Sequence, residues 1–228
     1  MTTMNLQLQH GIHILTLTNA ENGGDNRLTT AVVGEYLAAL DTVEHYQGNT
    51  ALLLTCTHKK TFSTGINLDW LIQLDDAGRR EFTTAFETLL CRLALLNAPT
   101  VACINGNAYA GGAIIASAAD FRLMRSDRGR YCYPEVDIKI PFNQVSSDIG
   151  QLLPNQQAVK NMMLTGVAYT GLECAELQIV DAIYPQDQLQ AEALSLAKTL
   201  ASKDRDTYCK NRNLMRPEIV AHLHRLTQ

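Results

Sequence analysis

The sequence is poor in the features that most often betray a function. Its six cysteines, at positions 56, 91, 103, 132, 174 and 209, are scattered and include no C-x-x-C pair. Several fall inside apolar runs, so buried free thiols in a reducing compartment are expected rather than a disulfide framework. No cysteine or carboxylate stands at a spacing to a histidine strong enough to claim a metal, and none is expected. Positive charge is not in excess: the net charge of −4 supplies no basic field for nucleic acid. The densest basic stretch, KDRDTYCKNRNLMR, is diluted by two aspartates and reads as solvated surface. No apolar run is long enough to span a bilayer. The start, MTTMNLQLQHG, lacks the charged and apolar regions of a signal peptide, and the end, HRLTQ, has no lipidation or peroxisomal address. A cytoplasmic protein without membrane or nucleic-acid partners is the expectation.

What is present is material for a large core. The 228 residues are 46% hydrophobic and 18% charged, which suits one large domain or one domain with a small appendage. GIHILTLTN alternates as a strand does, and ENGGDNRLTT is a polar, Gly-rich loop ending in threonines suited to capping a helix. TAVVGEYLAALDTVEHY and RREFTTAFETLLCRLALLN carry apolar residues at helical spacing, the second stopped by Asn97 and Pro99. TALLLTCTH and PTVACIN are short apolar runs, the mark of strands buried on both faces. INLDWLIQL predicts a short helix, FRLMRS and RYCYPEV predict strands around a DRG turn, and VDAIYP a short strand or link. From residue 155 the pattern is mostly helical. The alternation predicts an α/β domain followed by a helical tail.

Two glycine stretches share a context. TFSTGI (61–66) and NAYAGGA (107–113) each follow a buried strand and each place Gly just before a helix. A helix start offers free N–H groups and a positive dipole end, and glycine permits close approach and positive φ. Two such turns facing each other would hold a carbonyl oxygen between two backbone donors, as an oxyanion hole does. Two helix starts with tight turns would read the same way. No Lys-Ser/Thr follows either stretch and the spacing is not G-x-G-x-x-G, which removes the P-loop and dinucleotide fingerprints.

TFSTGINLDW, APTVACINGNAYAGGAIIASAADFRLM and YPEVDIKIPF, in that order, resemble the crotonase (enoyl-CoA hydratase/isomerase) superfamily over roughly residues 5 to 185. The resemblance implies an α/β fold, a crotonase-like spiral of ββα units with a helical C-terminal trimerisation region. It divides the chain into an acyl-CoA-binding core at 1–185 and a helical region at 186–228. It also implies an acyl-CoA thioester substrate, no cofactor beyond the CoA that is part of that substrate, and a homotrimer or hexamer.

Carried over by position, the two oxyanion amides belong to Ile66 and Gly111. Asn26, Arg27, Leu28, Ser63, Thr64 and Gly65 match segments that lie along the CoA moiety. Leu68, Trp70, Leu71, Phe86 and Phe142 are candidates for the acyl tunnel, although each taken alone is better read as core. Where the family's hydratases carry a first catalytic Glu, this chain has Ile114. The second is retained as Glu135 in the PE segment.

Hydration is best served by two carboxylates. One carboxylate suits moving a double bond from C3–C4 to C2–C3, since a single base between those carbons can take a proton and return one. DFRLMRSDRGRYCYPEVDIKIPF and FSTGINLDW are most similar to the plant-type Δ3,Δ2-enoyl-CoA isomerases. Glu135 is therefore the expected base and proton shuttle, its pKa raised by apolar neighbours. Asp137 is expected on the opposite face of an extended strand, and Asp120 as a cap or ion-pair partner. Other enolate chemistry of the family (hydration or thioester hydrolysis) and acyl-CoA binding without catalysis stay open. The sequence departs from the family pattern at Ala110, where a third glycine is common, and at Asn67, where many members have Asp.

Overall fold

Six short segments pair edge to edge and so satisfy one another's backbone N–H and C=O groups. In the computed structural model, which describes residues 2–19 and 24–228, strands β1 (Met4–Gln9), β2 (Ile12–Leu17), β3 (Ala51–Cys56), β5 (Thr100–Ile104), β7 (Phe121–Arg125) and β10 (Ala182–Tyr184) form one sheet in the order β1-β2-β3-β5-β7-β10. Residues 21–23 of the predicted polar loop lie outside the described residues. Within this sheet the β1–β2 hairpin is antiparallel and the other described pairs run parallel. Its turn uses positive φ at both His10 and Gly11.

Every residue of β3 and β5 is buried, as their continuous apolar runs predict. Leu52, Leu54, Ala102 and Ile104 face the larger core, while Leu53, Val101 and Cys103 face a second one. Helix α1 (Thr30–His45) and helix α3 (Asp76–Ala94) supply the larger core. Helix α8 (Gln186–Ala201) lays Leu189, Ala193 and Ala197 against the other face of the sheet.

A second, four-stranded sheet, β4 (Thr61–Ser63), β6 (Asn107–Tyr109), β8 (Arg130–Cys132) and β9 (Ala168–Thr170), is built from continuations of the first. Strand β3 leads into β4 and then the short helix α2 (Leu68–Leu71) and α3. Strand β5 leads into β6 and helix α4 (Gly111–Ala118), and β7 into β8 and helix α5 (Gln144–Gly150). Each turn is thus one strand in each sheet followed by helix, the ββα repeat that the resemblance implied.

The predicted strand RYCYPEV is shorter than expected. Strand β8 stops at Cys132, because Pro134 has no N–H for a ladder, and 135–139 form a turn. Asp137 therefore does not alternate with Glu135 along a strand; it lies exposed on that turn, its own N–H donating to the Pro134 carbonyl.

Helices α6 (Gln156–Thr165), α7 (Gly171–Glu176), α9 (Arg205–Leu214) and α10 (Pro217–Leu226) complete the chain. Asp120, directly after α4, anchors the last two: its carboxylate lies 3.1 Å from the Arg216 guanidinium and 3.6 Å from that of Arg212, and Tyr208 donates to it at 3.0 Å. Among the described residues no helix is long and apolar enough to cross a membrane.

Candidate active site

The two glycine turns meet. Gly65 has φ +81, and a Cβ built there would fall 2.5 Å from the Gly111 nitrogen. A Cβ on Gly112 would fall 2.3 Å from the Ser63 carbonyl oxygen. Only residues without side chains allow this approach of two backbones.

The first turn is held from below by buried polar groups. Asn26 Nδ2 donates to the Phe62 carbonyl at 2.8 Å. Ser63 Oγ donates to the Asn26 carbonyl at 2.8 Å and accepts the Gly65 N–H at 3.1 Å. Leu28 forms an isolated parallel bridge with Ile66. Its N–H donates to Gly65 O at 2.8 Å and its carbonyl accepts from Asn67 N–H at 2.9 Å. In that pattern Leu28 satisfies the groups on either side of Ile66, so the Ile66 amide points away from the bridge.

The second turn enters α4 through Ala110, whose φ of +49 and ψ of −130 are unusual for a residue with a Cβ. Its N–H donates to Cys132 O at 3.1 Å. Gly111 is then the first residue of α4, one of the helix-start amides with no intrahelical acceptor. Among the described residues, neither the Ile66 nor the Gly111 N–H has a protein acceptor.

Both residues line a cavity of about 320 Å³. Thr64, Ile66, Leu68 and Leu71 line one side, and Phe82, Thr83 and Phe86 project from α3. Ala110, Gly111 and Ile114 come from α4, and Asn143 and Ser146 from the start of α5. Glu135, Ile138, Ile140, Pro141 and Phe142 close it from the turn after β8.

Glu135 is the one ionisable side chain on this lining among the described residues. It is 7% exposed, and its Oε2 has no hydrogen-bond partner among them. Burial in apolar surroundings pushes its pKa up to about 7. Ile114 is 3% exposed and leaves that wall aliphatic. The arrangement therefore offers unpaired backbone donors and one poised carboxyl group in a largely apolar chamber.

Of the residues singled out in the sequence, Ile66, Gly111, Glu135, Thr64, Leu68, Leu71, Phe86 and Phe142 line this cavity. Asn26, Leu28, Ser63 and Gly65 do not; their contacts brace the turn behind it. Arg27 lies outside the lining, with Asp69 at 3.4 Å and Asp25 at 3.8 Å. Trp70 packs edge-on against Phe82, at 5.3 Å between ring centroids, one layer behind the wall. Phe82, Thr83, Ile138, Ile140, Pro141, Asn143 and Ser146 went unnoticed as single positions. For Ile138, Ile140 and Pro141, the usable signal was the apolar alternation of VDIKIPF next to Glu135.

The comparisons with known proteins converge on one group. A family profile described as enoyl-CoA hydratase/isomerase matches residues 7–225. Enoyl-CoA delta isomerase 3 of Arabidopsis thaliana is 28% identical over 222 residues, which cover 94% of this chain and 92% of that protein. The crystal structure of human mitochondrial delta3-delta2-enoyl-CoA isomerase superposes with a TM-score of 0.88 at 22% identity, over 97% of this chain and 86% of the other. An enoyl-CoA hydratase from Bacillus anthracis superposes with a TM-score of 0.84, also at 22% identity, over 99% and 87%. At those identities the structures speak for the fold.

Proposed function

We propose that this chain, which belongs to the enoyl-CoA hydratase/isomerase family, moves the double bond of a 3-enoyl-CoA to give trans-2-enoyl-CoA. The observation that carries the reading is the lone carboxyl group: Glu135 shares a cavity with the Ile66 and Gly111 backbones, and Ile114 stands where a second acid would be needed.

In the proposed reaction the thioester oxygen accepts hydrogen bonds from the Ile66 and Gly111 amides. Glu135, ionised, removes a proton from C2, and the electron pair passes into a dienolate whose negative oxygen those donors stabilise. The protonated Glu135 then delivers the proton to C4, and the electrons return to close the C2–C3 double bond. Atoms and charge balance without an external oxidant or water, so the CoA of the substrate is the only cofactor-like group required. A carboxyl group with a pKa near neutrality suits both halves of the exchange. Each well-placed backbone donor contributes about 3 kcal/mol to such a step. The apolar walls from Leu71, Phe82, Phe86 and Phe142 fit the acyl chain.

The test is to incubate the protein with 3-hexenoyl-CoA and with crotonyl-CoA and follow conjugation and hydration separately. Conjugation that disappears in Glu135→Gln is the expected result. Hydration at a comparable rate would overturn the assignment in favour of a hydratase. Release of free CoA would point to a thioesterase, and tight binding with no turnover to an acyl-CoA-binding protein.

A further inference from the structure

A cluster of three hydroxyls lies under the active-site helix, outside the cavity lining. Ser117, in the last turn of α4, places its Oγ 2.9 Å from the Ala113 carbonyl oxygen, 2.6 Å from the Tyr131 hydroxyl and 2.5 Å from the Tyr133 hydroxyl. Tyr131 also donates to the Ala113 carbonyl at 2.6 Å. All three side chains are fully buried.

The protons can be ordered in a consistent chain. Tyr133 donates to Ser117, Ser117 to the Ala113 carbonyl or the Tyr131 oxygen, and Tyr131 to the Ala113 carbonyl. Every hydroxyl is satisfied, and the chain ends on the backbone of α4. Burial holds the Tyr131 phenol at about 12 and raises Tyr133 as well, so both stay protonated donors.

The cluster joins the two halves of the site. Ala113 lies two residues after Gly111 on α4. Tyr133 lies two residues before Glu135, and its ring meets Phe142 of the cavity wall edge-on at 5.6 Å. Residues 133 and 134, between β8 and Glu135, belong to no strand or helix; beyond the Ala110 N–H bond to the Cys132 carbonyl, side-chain contacts are what tie this segment to α4. Apolar residues of the same volume would fill this space without desolvating three hydroxyls, a cost that directional bonds offset only in one arrangement.

We infer that Ser117, Tyr131 and Tyr133 are positioning residues that set the Glu135 carboxyl group against the Gly111 amide. The inference deepens the isomerase reading and rests on it for its kinetic consequence. Its structural core is independent of turnover: the hydroxyls hold Glu135 in its dry position. The surroundings of Glu135 keep the readout simple. Asp137 and Lys139 on its own turn are exposed, α3, α4 and α5 bring no charged side chain to the cavity among the described residues, and Cys132 is a buried thiol raised to about 12.

The test compares wild type with Tyr133→Phe and Ser117→Ala, well below their melting temperatures. It reads kcat and KM for 3-hexenoyl-CoA, and the titration of the Glu135 carboxyl by infrared difference spectroscopy in ligand-free protein, with Glu135→Gln as the blank. Tyr133→Phe is expected to lower kcat by about tenfold with KM within about twofold. The carboxyl midpoint and the acid limb of the pH–rate profile should move down together, as water reaches a loosened carboxylate. Lowered melting temperatures with kcat, KM and the carboxyl midpoint unchanged would overturn the inference and leave the cluster a packing element. If wild type does not isomerise 3-hexenoyl-CoA, the isomerase reading fails, and the infrared midpoint alone still decides whether the hydroxyls position Glu135. Should Ser117→Ala not fold, Tyr133→Phe, which keeps the ring and loses one oxygen, carries the test.

Discussion

Replacing Glu135 by Gln should remove activity and, at alkaline pH, make the protein more stable. Glu135 has a folded pKa of about 7 against 4.5 for the free side chain, and burial is the first cause of the rise. An acid whose pKa rises on folding binds its proton more tightly in the native state. Its contribution is then fully present below about pH 4.5 and is lost as the pH climbs through about 7. Over the whole window the displacement corresponds to about 3 kcal/mol. At about pH 5 less than 1 kcal/mol of that has been lost, and at about pH 8.5 nearly all of it.

Gln carries no charge at either pH. Its amide would meet the same lack of partners as Glu135 Oε2, at a cost of about 1–3 kcal/mol that does not depend on pH. Comparing two pH values cancels that constant. Relative to wild type, Glu135→Gln should gain about 2.5 kcal/mol of stability between about pH 5 and pH 8.5. For a chain of this length that is a relative rise in melting temperature of about 5–10 °C. The assay is a pair of urea titrations at each pH, alongside conjugation of 3-hexenoyl-CoA. Turnover in the variant should fall by about 10³-fold, and kcat/KM of the wild type should rise with pH and level off above about 7. Parallel stability curves for the two proteins across the pH range would refute the reasoning, because Glu135 would then not be a buried carboxyl group with a raised pKa.

Two further outcomes follow from the glycine turns. Gly65→Ala places a methyl group 2.5 Å from the Gly111 nitrogen at a residue with φ +81; kcat should drop by about 10²-fold as that donor is covered, and unchanged turnover would remove Gly111 from the proposed oxyanion hole. Ala110→Gly relieves a left-handed backbone at the start of α4; urea denaturation should show a gain of about 1 kcal/mol with turnover preserved, and a loss of stability would show that the Ala110 methyl is needed where it is.

The parts of the fold legible in the sequence are those where one physical requirement dominates. Strands β3 and β5 must be apolar on both faces, and their runs ALLLTC and TVACI say so directly. The three-residue strands β4, β6 and β9 are too short to show any period. Strand β1, MNLQLQ, sits at a sheet edge with mostly exposed or half-exposed side chains, so its pairing is set by the hairpin turn rather than by burial. From Glu135 to Ile140 apolar and charged residues alternate, a pattern that predicts a strand. Pro134 overrides the alternation, and the resulting turn sends Ile138 and Ile140 to the cavity together with Glu135. The hydroxyl cluster left no signal, since Ser117, Tyr131 and Tyr133 come together only when α4 packs beneath β8.

What most distinguishes this site is the link between its missing acid and the state of its remaining one. A carboxylate at position 114 would have brought a second charge and water to the cavity, and the pKa of Glu135 would then depend on a like-charged neighbour. With Ile114 there instead, the rise in Glu135 comes from burial first, and no neighbouring carboxylate is needed to explain it. In the proposed reaction, the residue that makes two-carboxylate hydration a poor fit also leaves an aliphatic wall beside the one carboxyl group that would exchange its proton near neutral pH. Restoring the acid with Ile114→Glu would separate these effects: a charged pair in the cavity should raise the pKa of Glu135 further, whereas a hydrated cavity should lower it.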